Sequence, residues 1–381
     1  MAFPRTFLFL VFSMLLMAVS CVQSSSHSNS SEPRGIIKAT YYPSWNANLP
    51  PSAINTTLFT HIFYAFLSPS NVTFKFELSN TTAIQLSNFT TTLRYKYPTV
   101  KTLLSIGGFG EGPLFAKLAS SSSSRGAFIN SSLEVARKFG FDGLDLDWEY
   151  PQTPKEMDYF GVLLKEWRLA IRKEAKASNK PQLLLTAAVY FSSDFSATGG
   201  SQKYPTAAIN KYLNWINVMS YDYHGSWDPS ATGAQTAFFD PKSKLSSYYG
   251  LRSWLKAGIP GKKLVMGLAL YGRTWTLKDP NVHSIGAPAV NAGPGNGILT
   301  YSQVEEFNKN FSATVVYDPD TISVYSFAGN YWVTYDNIAT LTAKIAYAQA
   351  LKLRGYFFWA LSFENGWTIA SQVSRGWILE E

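Results

Sequence analysis

The chain has 381 residues, which is enough for one large domain or two ordinary ones. With 46% hydrophobic and 15% charged residues it is not a disordered chain, and its single cysteine excludes a disulfide framework and a cysteine-rich zinc module. The formal net charge is +8, but the basic residues are scattered rather than clustered. Because no basic stripe or binding motif accompanies this charge, we expect no nucleic-acid partner.

The first residues are typical of an export signal. Arg5 is the only charge before an almost wholly apolar run at residues 7–18, and small residues follow as far as Ser24. The run is too short for a good membrane span, and no later stretch approaches the ~20 apolar residues that a transmembrane helix needs. We therefore predict a signal peptide over residues 1–24, a short segment over residues 25–34 and no membrane span in the mature chain.

Asn-X-Ser/Thr triplets, which are acceptors for N-glycosylation, agree with export. They occur at Asn29, Asn55, Asn71, Asn80, Asn88, Asn130 and Asn310. Their density after a signal peptide predicts a secreted protein that is glycosylated mainly in its N-terminal half.

Short apolar runs alternate with amphipathic stretches along the rest of the chain. Stretches such as residues 123–139, 155–177 and 338–352 have the apolar spacing of helices. Between the helices, runs rich in Val, Ile, Leu, Phe, Ala and Tyr predict strands buried on both faces. These runs are residues 36–42, 61–66, 101–107, 140–147, 182–189, 215–221, 264–270 and 355–361. Such an alternation is typical of an α/β fold, the closed (β/α)8 TIM barrel.

The alternation is interrupted between about residues 272 and 336. Strand-like pieces at residues 314–317 and 322–327 lie there among many Gly, Pro and Asn residues. The interval is too long for a single crossover between strands. We therefore predict a small α+β insertion between strands seven and eight, within one catalytic barrel that spans residues 35–381.

The chemistry is concentrated at the end of the fourth predicted strand. Residues 141–151 read FDGLDLDWEYP and carry Asp142, Asp145, Asp147 and Glu149. The last three are two positions apart, so a strand directs them to one face, which in a barrel is the interior. Crowded like charges in a desolvated place raise at least one pKa, which suits a general acid near neutral pH. Asp142 has the other parity, and we assign it a supporting role.

Two other interpretations of this segment are weaker. A calcium loop of the EF-hand type needs Gly at its sixth position, but the sixth residue counted from Asp145 is Tyr150. An exposed acidic edge would not alternate with Leu144, Leu146 and Trp148. We therefore predict no metal site, and acid–base chemistry by the carboxylates.

The segment resembles the D-x-x-D-x-D-x-E signature of glycoside hydrolase family 18, the chitinases, at all four acidic positions. The resemblance extends in the family's order through SIGG at residues 105–108, MSYD at 219–222, YGRTW at 271–275 and Trp359. Residues 160–168 look like the plant class V branch. The resemblance implies a chitinase that acts by retaining, substrate-assisted hydrolysis, with no metal or organic cofactor.

The resemblance also implies a role for each carboxylate. Glu149 would protonate the glycosidic oxygen and then act as a base toward water. Asp147 would orient the substrate's acetamide group and stabilise the oxazolinium ion. Asp145 would share a proton or a hydrogen bond with Asp147. Ser105 and Tyr41 match family positions that support Asp145, and Tyr41 also counts among the substrate-binding residues.

Further matching positions are assigned to the substrate. Tyr221 would donate a hydrogen bond to the acetamide oxygen, and Asp222 and Met219 would line the same subsite. Gly107 and Gly108 would let the backbone approach the sugar.

Aromatic rings suit a sugar face because they offer apolar area at low entropic cost. Trp359 matches the family's tryptophan floor, Phe66 would form a wall, and Arg273 would contact sugar hydroxyls beyond the cleaved bond. The predicted loops after strands one, six and seven carry three tryptophans that either extend the cleft or pack in the core: Trp45, Trp227 and Trp275.

The sequence therefore predicts a secreted, monomeric, endo-type chitinase that cleaves β-1,4 bonds between N-acetylglucosamine units in chitin, chitooligosaccharides or lipid-bearing chitooligosaccharide signals. The cell wall or apoplast and the vacuole stay open as destinations. After Trp359 the chain reads ALSFENG, which departs from the plant class V pattern, so the preferred substrate also stays open. The alternatives are a glycan-binding lectin or inhibitor with little or no activity, and an endo-acting enzyme on N-glycans.

Overall fold

The computed structural model describes residues 35–46, 48–195 and 201–377. The predicted signal peptide, the short segment that follows it and the sequon at Asn29 lie outside these residues. Within them, no helix is long and apolar enough to cross a membrane.

The strands and helices of the described residues are named in chain order. The strands are β1 (Ile37–Pro43), β2 (His61–Leu67), β3 (Lys101–Phe109), β4 (Gly143–Glu149), β5 (Leu184–Val189), β6 (Asp194–Phe195), β7 (Gln202–Lys203), β8 (Trp215–Val218), β9 (Leu264–Ala269), β10 (Tyr271–Leu277), β11 (Ala289–Ala292), β12 (Ile298–Thr300), β13 (Thr314–Asp318), β14 (Ser323–Ala328), β15 (Tyr331–Tyr335) and β16 (Gly355–Trp359). The helices are α1 (Asn80–Lys96), α2 (Gly112–Ala119), α3 (Ser122–Phe139), α4 (Pro154–Ser178), α5 (Thr206–Tyr212), α6 (Ser247–Lys256), α7 (Tyr301–Asn310), α8 (Ile338–Ala350) and α9 (Thr368–Gly376).

Parallel strands close into a barrel in the order β1-β16-β9-β8-β5-β4-β3-β2. Each barrel strand coincides with one of the apolar runs identified in the sequence, and helices lie between most of the strands along the chain. The predicted (β/α)8 TIM barrel is confirmed.

The longest helix, α4, shows why the sequence forms these elements. Thr153 caps its N-terminus by accepting a hydrogen bond from the backbone N–H of Glu156, and Pro154 suits the first helical position. Asn179 ends the helix in a left-handed conformation, with φ of 53°. One stripe of the helix packs on the barrel and is fully buried: Phe160, Leu163, Leu164, Trp167 and Ile171.

The fourth barrel strand begins later than its apolar run indicates. Residue 140 was predicted as the first residue of this strand, but Gly140 is the C-cap of α3, with φ of 75° and its N–H bonded to the carbonyl oxygen of Ala136. A left-handed cap residue favours glycine because other side chains are strained there. Gly143 is therefore the first residue of β4.

The insertion follows β9 almost without a break. It forms an antiparallel sheet in the order β11-β10-β15-β14-β13, with β12 paired to β10 and helix α7 beside it. This arrangement agrees with the predicted α+β insertion.

Trp275 belongs to the core of the insertion rather than to a cleft surface. Its side chain is fully buried, and its ring centroid lies 5.5 Å from that of Trp332. Its indole N–H donates to the backbone oxygen of Asp228 at 3.1 Å. Of the two interpretations open for this tryptophan, core packing is the one that the structure supports.

Candidate active site

Asp145, Asp147 and Glu149 occupy alternate positions of β4, up to its C-terminal residue. The parallel register with β3 places Ser105 beside Asp145 and Gly107 beside Asp147. Asp145 and Asp147 are buried and Glu149 is partly exposed. The barrel therefore holds the three predicted carboxylates as a ladder that runs from the interior toward solvent.

Asp145 is anchored by hydroxyl groups from three other strands: β3 and β5, which flank β4, and β1. The Tyr41 hydroxyl donates to Oδ2 at 2.9 Å, and Ser105 Oγ donates to the same oxygen at 2.8 Å. Thr186 Oγ1 donates to Oδ1 at 2.5 Å. Burial raises the pKa of Asp145, and the hydrogen bonds from these hydroxyls act in the opposite direction because they stabilise the anion.

Asp147 lacks such an anchor. Its Oδ1 is buried and has no hydrogen-bond partner within the described part of the chain. Burial raises the pKa of Asp147 well above its usual value, and the charges of Glu149 and Asp145 raise it further. A buried acceptor without a partner costs free energy, so a proton, or a donor brought by a ligand, would be stabilised at this carboxyl group.

Glu149 lies at the solvent end of the ladder. Burial raises its pKa to about 7, the charge of Asp222 raises it as well, and a hydrogen bond from Tyr150 lowers it. A carboxyl group with such a pKa can donate a proton and take one back near neutral pH, as acid–base catalysis requires.

An ion pair faces the ladder: Arg273 lies on β10, and Asp222 lies in the segment after β8. Asp222, which has a left-handed φ of 61°, accepts two hydrogen bonds from the Arg273 guanidinium, both at 2.8 Å. Tyr271 also donates to Asp222, at 2.7 Å. The guanidinium carbon lies 5.0 Å from the ring centroid of Trp227, which is 59% exposed. Asp222, Arg273 and Trp227 thus form one connected surface at the mouth of the barrel.

Tyr221 and Met219 also lie at this end of the barrel interior and are largely buried. Burial, and then the charge of Asp147, raises the pKa of Tyr221 well above its usual value, so its hydroxyl stays a donor. The Tyr150 hydroxyl oxygen lies 4.0 Å from Met219 Sδ. Tyr221 therefore lies within reach of the charge of Asp147, and Met219 lies beside Tyr150, the residue that follows Glu149.

Aromatic rings cluster at the C-terminal ends of the strands next to the ladder. Phe66 stacks on Trp359 with ring centroids 5.6 Å apart and planes 23° apart. Trp45 stacks on Phe66 at 6.1 Å and is 60% exposed, and Tyr41 lies 5.6 Å from Trp359. This cluster offers an apolar surface of the kind that binds a sugar face.

Two glycines at the end of β3 are required by the protein's own packing. A Cβ at Gly107 would lie 2.1 Å from the backbone oxygen of Asp147, and a Cβ at Gly108 would lie 2.9 Å from the Phe66 ring. Their φ values, +116° and +105°, also disfavour other residues. Contact of their backbone with a sugar stays a prediction.

Asp142, the fourth acidic residue of the segment, lies immediately before β4 and away from the ladder. It accepts hydrogen bonds from the backbone N–H of Thr102 at 3.0 Å and from Lys101 Nζ at 3.1 Å. It joins the N-terminal ends of β3 and β4, which fits a supporting role.

Sequence reasoning missed two residues of the site, Thr186 on β5 and Asn217 on β8. Thr186 binds Asp145 directly, and Asn217 Nδ2 donates to the hydroxyl of Tyr41 at 2.9 Å. Their inward parity on predicted strands was the available signal, since polar residues on a buried face need partners.

The asparagines of the described sequons lie mostly at the surface. Asn55 is half-buried, and five are exposed: Asn71, Asn80, Asn88, Asn130 and Asn310. Their glycosylation stays a prediction.

Comparison with known proteins agrees with this geometry. Residues 38–364 match the family described as glycosyl hydrolases family 18. Class V chitinase CHIT5b from Medicago truncatula is 51% identical over 337 residues, which cover 88% of this chain and 89% of that protein. Nod factor hydrolase protein 1 from the same species is 51% identical over 338 residues, covering 87% of this chain and 88% of that protein.

A solved structure is also similar to this chain in its fold. The GH18 chitinase from Cycas revoluta, in a mutant form in complex with (GlcNAc)4, superposes with a TM-score of 0.86 and is 43% identical, covering 90% of this chain and 99% of that one. The chain therefore belongs to glycosyl hydrolases family 18, as a glycoside hydrolase of the class V chitinase type.

Proposed function

We propose that the protein hydrolyses β-1,4 bonds between N-acetylglucosamine units by retaining, substrate-assisted catalysis. The observation that carries the proposal is the ladder on β4, in which Asp145 is anchored, Asp147 has a free acceptor and Glu149 titrates at a pKa of about 7. The complex of the Cycas revoluta chitinase with (GlcNAc)4 supports an oligosaccharide substrate of this class.

In the first step Glu149 acts as the general acid. It transfers its proton to the glycosidic oxygen, which leaves with the electrons of the broken bond. The acetamide oxygen of the same sugar attacks the anomeric carbon from the opposite side and forms an oxazolinium ion. No carboxylate nucleophile is needed, so a single acid at the solvent end of the ladder suffices.

In the second step Glu149 acts as the general base. Its carboxylate takes a proton from the incoming water, the oxygen of which bonds to the anomeric carbon while the oxazolinium ring opens. Two inversions at the same carbon give net retention. Because one group must give and then take a proton, a pKa of about 7 suits Glu149 near neutral pH.

Asp147 and Asp145 serve the acetamide group. The free Oδ1 of Asp147 would accept a hydrogen bond from the acetamide N–H, which orients the acetamide oxygen toward the anomeric carbon. The negative charge that Asp145 and Asp147 share would stabilise the positive oxazolinium ion in a site of low dielectric. Tyr221 would donate to the acetamide oxygen.

The aromatic cluster would form the sugar platform. Trp359 and Phe66 would flank the sugar whose bond is cleaved, and the exposed ring of Trp45 would extend the platform. Arg273 and Trp227 would contact sugars on the other side of the cleaved bond. Such a series of subsites suits endo-type cleavage of a chain longer than two sugars.

Export and the natural substrate belong to the same proposal. The apolar run at residues 7–18 and the exposed sequon asparagines support secretion. The similarity to a protein named Nod factor hydrolase supports lipid-bearing chitooligosaccharides as a substrate class beside chitin fragments.

Product analysis with (GlcNAc)5 tests the proposal. We expect shorter oligomers, initially as the β-anomer, and a loss of about 10²–10⁴-fold in rate for Glu149→Gln. Asp147→Asn should also lose activity, whereas Asp142→Asn, at the N-terminal end of the same strand, should keep most of it. Glu134→Gln, at an exposed glutamate, is the control for the substitution itself.

The outcomes separate the two functional classes. Binding of (GlcNAc)5 without cleavage by the unmodified protein would favour the lectin alternative. Cleavage that survives Glu149→Gln would overturn the assignment of the acid.

A further inference from the structure

A chain of hydrogen bonds runs through the barrel interior toward the ladder. The indole N–H of Trp215 donates to Asn217 Oδ1 at 3.0 Å, and Asn217 Nδ2 donates to the Tyr41 hydroxyl oxygen at 2.9 Å. Tyr41 in turn donates to Asp145 Oδ2 at 2.9 Å. All four side chains are buried, so water does not compete for these bonds.

The chain has one direction because its first member is a donor only. An indole N–H cannot accept a hydrogen bond, so it holds the oxygen of the Asn217 amide toward Trp215. The amide nitrogen then faces Tyr41 and donates to the phenolic oxygen. The amide occupies an acceptor position of the phenolic oxygen, and the single hydroxyl proton of Tyr41 is directed to Asp145 Oδ2, the acceptor at 2.9 Å.

The hydroxyls of Ser105 and Thr186 also contact Asp145, but Trp215 and Asn217 do not fix the direction of their protons. Ser105 and Thr186 can each donate to the carboxylate or accept from a protonated carboxyl group. We propose that Trp215 and Asn217 are positioning residues that fix the hydroxyl proton of Tyr41 on Asp145.

The consequence concerns which carboxyl group of the ladder holds a proton. A donor that cannot turn away stabilises the ionised form of Asp145. A proton on the pair then resides on Asp147, beside the acetamide group. This inference rests on the proposed function, because it assigns a purpose to the charge that Asp145 and Asp147 share.

Several titratable or charged groups face this chain of bonds. At the ladder end they are Asp147, Glu149 and Tyr221. At the other end the His61 ring lies 5.0 Å from the Trp215 ring, the Arg354 guanidinium lies 5.1 Å from it, and Lys101 lies near His61. Burial, and to a smaller extent the charges of Arg354 and Lys101, lowers the pKa of His61 to about 3. His61 therefore stays neutral in an assay from pH 4 to pH 9.

The test is Trp215→Phe. This substitution removes the indole N–H that donates to the Asn217 amide oxygen, and it leaves Asn217 itself unchanged. We expect the acid limb of the kcat profile for (GlcNAc)5 to move to higher pH by about half a unit to one unit, because Asp145 loses a fixed donor. Tyr41→Phe should move the limb in the same direction. In the Tyr41→Phe background, Trp215→Phe should move it no further.

Trp332→Phe is the matched control, since this indole is also fully buried and donates to the backbone oxygen of His283 at 2.9 Å. It should leave the profile unchanged. Asn217→Leu removes the amide itself and replaces Trp215→Phe as the test if that variant does not fold. An unshifted profile, or a shift that persists without the Tyr41 hydroxyl, would overturn the proposal.

A second readout does not depend on activity. The Tyr41 bond stabilises the ionised form of Asp145, so the loss of thermal stability in Trp215→Phe should grow between pH 4 and pH 8. The loss in Trp332→Phe should stay constant over that range. If the unmodified protein does not cleave (GlcNAc)5, the proposed function fails, while this comparison still decides the role of Trp215.

Discussion

Gly107 on β3 faces the backbone of Asp147 on β4 so closely that a Cβ at Gly107 would lie 2.1 Å from the Asp147 oxygen. The strand pair must separate to admit even a methyl group, and Asp147 would move with it. We expect Gly107→Ala to lower the free energy of unfolding by about 3 kcal/mol and to reduce activity strongly. Chemical denaturation and the (GlcNAc)5 assay measure the two effects.

Gly110 provides the control for backbone strain. It has a similar φ, +94°, but a Cβ there would meet nothing within 4 Å. Gly110→Ala should therefore cost about 1–2 kcal/mol and leave activity intact. Equal losses in the two variants would show that strain, rather than contact with Asp147, requires the glycine.

Tyr150 tunes the proposed acid. Its hydrogen bond lowers the pKa of Glu149 from the value that burial and Asp222 would set. In Tyr150→Phe the pKa of Glu149 should rise, and since the protonated form is the acid, the alkaline limb of kcat/KM should move upward from about 7. Tyr190→Phe, whose ring lies 5.4 Å from that of Tyr150, should leave the limb in place. A limb that moves downward in Tyr150→Phe would contradict the assignment.

Lys344 and Asp336 form an ion pair that is fully buried where the insertion meets α8. Lys344 Nζ lies 2.5 Å from one oxygen of Asp336 and also donates to the backbone oxygen of Thr236. Lys344→Met leaves the Asp336 charge buried and unpaired, so we expect a loss of about 3–5 kcal/mol in unfolding free energy. Lys101→Met breaks the more exposed pair with Asp142 and should cost less than about 1 kcal/mol. If Lys344→Met and Lys101→Met lost similar amounts of unfolding free energy, burial would not explain the contribution of the Lys344–Asp336 pair.

Trp227 and Trp275 should respond to truncation in opposite ways. Trp227→Ala removes an exposed ring, so we expect weaker binding of (GlcNAc)5 by about 1 kcal/mol with little change in stability. Trp275→Ala removes a fully buried ring and should lower the unfolding free energy by about 3–5 kcal/mol. Calorimetric titration and thermal melting distinguish the two. Unchanged binding in Trp227→Ala would remove that residue from the cleft.

Local patterns were sufficient to predict the barrel and the carboxylate ladder. Apolar runs of strand length define the eight barrel strands, and the spacing of Asp145, Asp147 and Glu149 fixes a common face because side chains alternate along a strand. The start of β4 was wrong because the apolar run does not reveal that Gly140 ends a helix.

The contacts that local sequence patterns did not predict depend on how strands distant in sequence pair with each other. Thr186 lies beside Asp145 because β4 and β5 pair in one register, and Asn217 reaches Tyr41 across the barrel. The residue type alone does not reveal such a partner. Threonine, for example, is common in strands whatever it contacts. Trp275 likewise alternates correctly for a strand, but the sequence does not say which face of the insertion sheet is covered.

The close succession of β9 and β10 restricts how the chain can vary in length. Tyr271 and Arg273 are two positions apart on β10 and both donate to Asp222, while β10 is held between β12 and β15. One residue added or removed between Ala269 and Tyr271 would turn both side chains to the opposite face of the sheet. A length change in the turn at Gly329, between β14 and β15, would by contrast leave the spacing of Tyr271 and Arg273 on β10 unchanged.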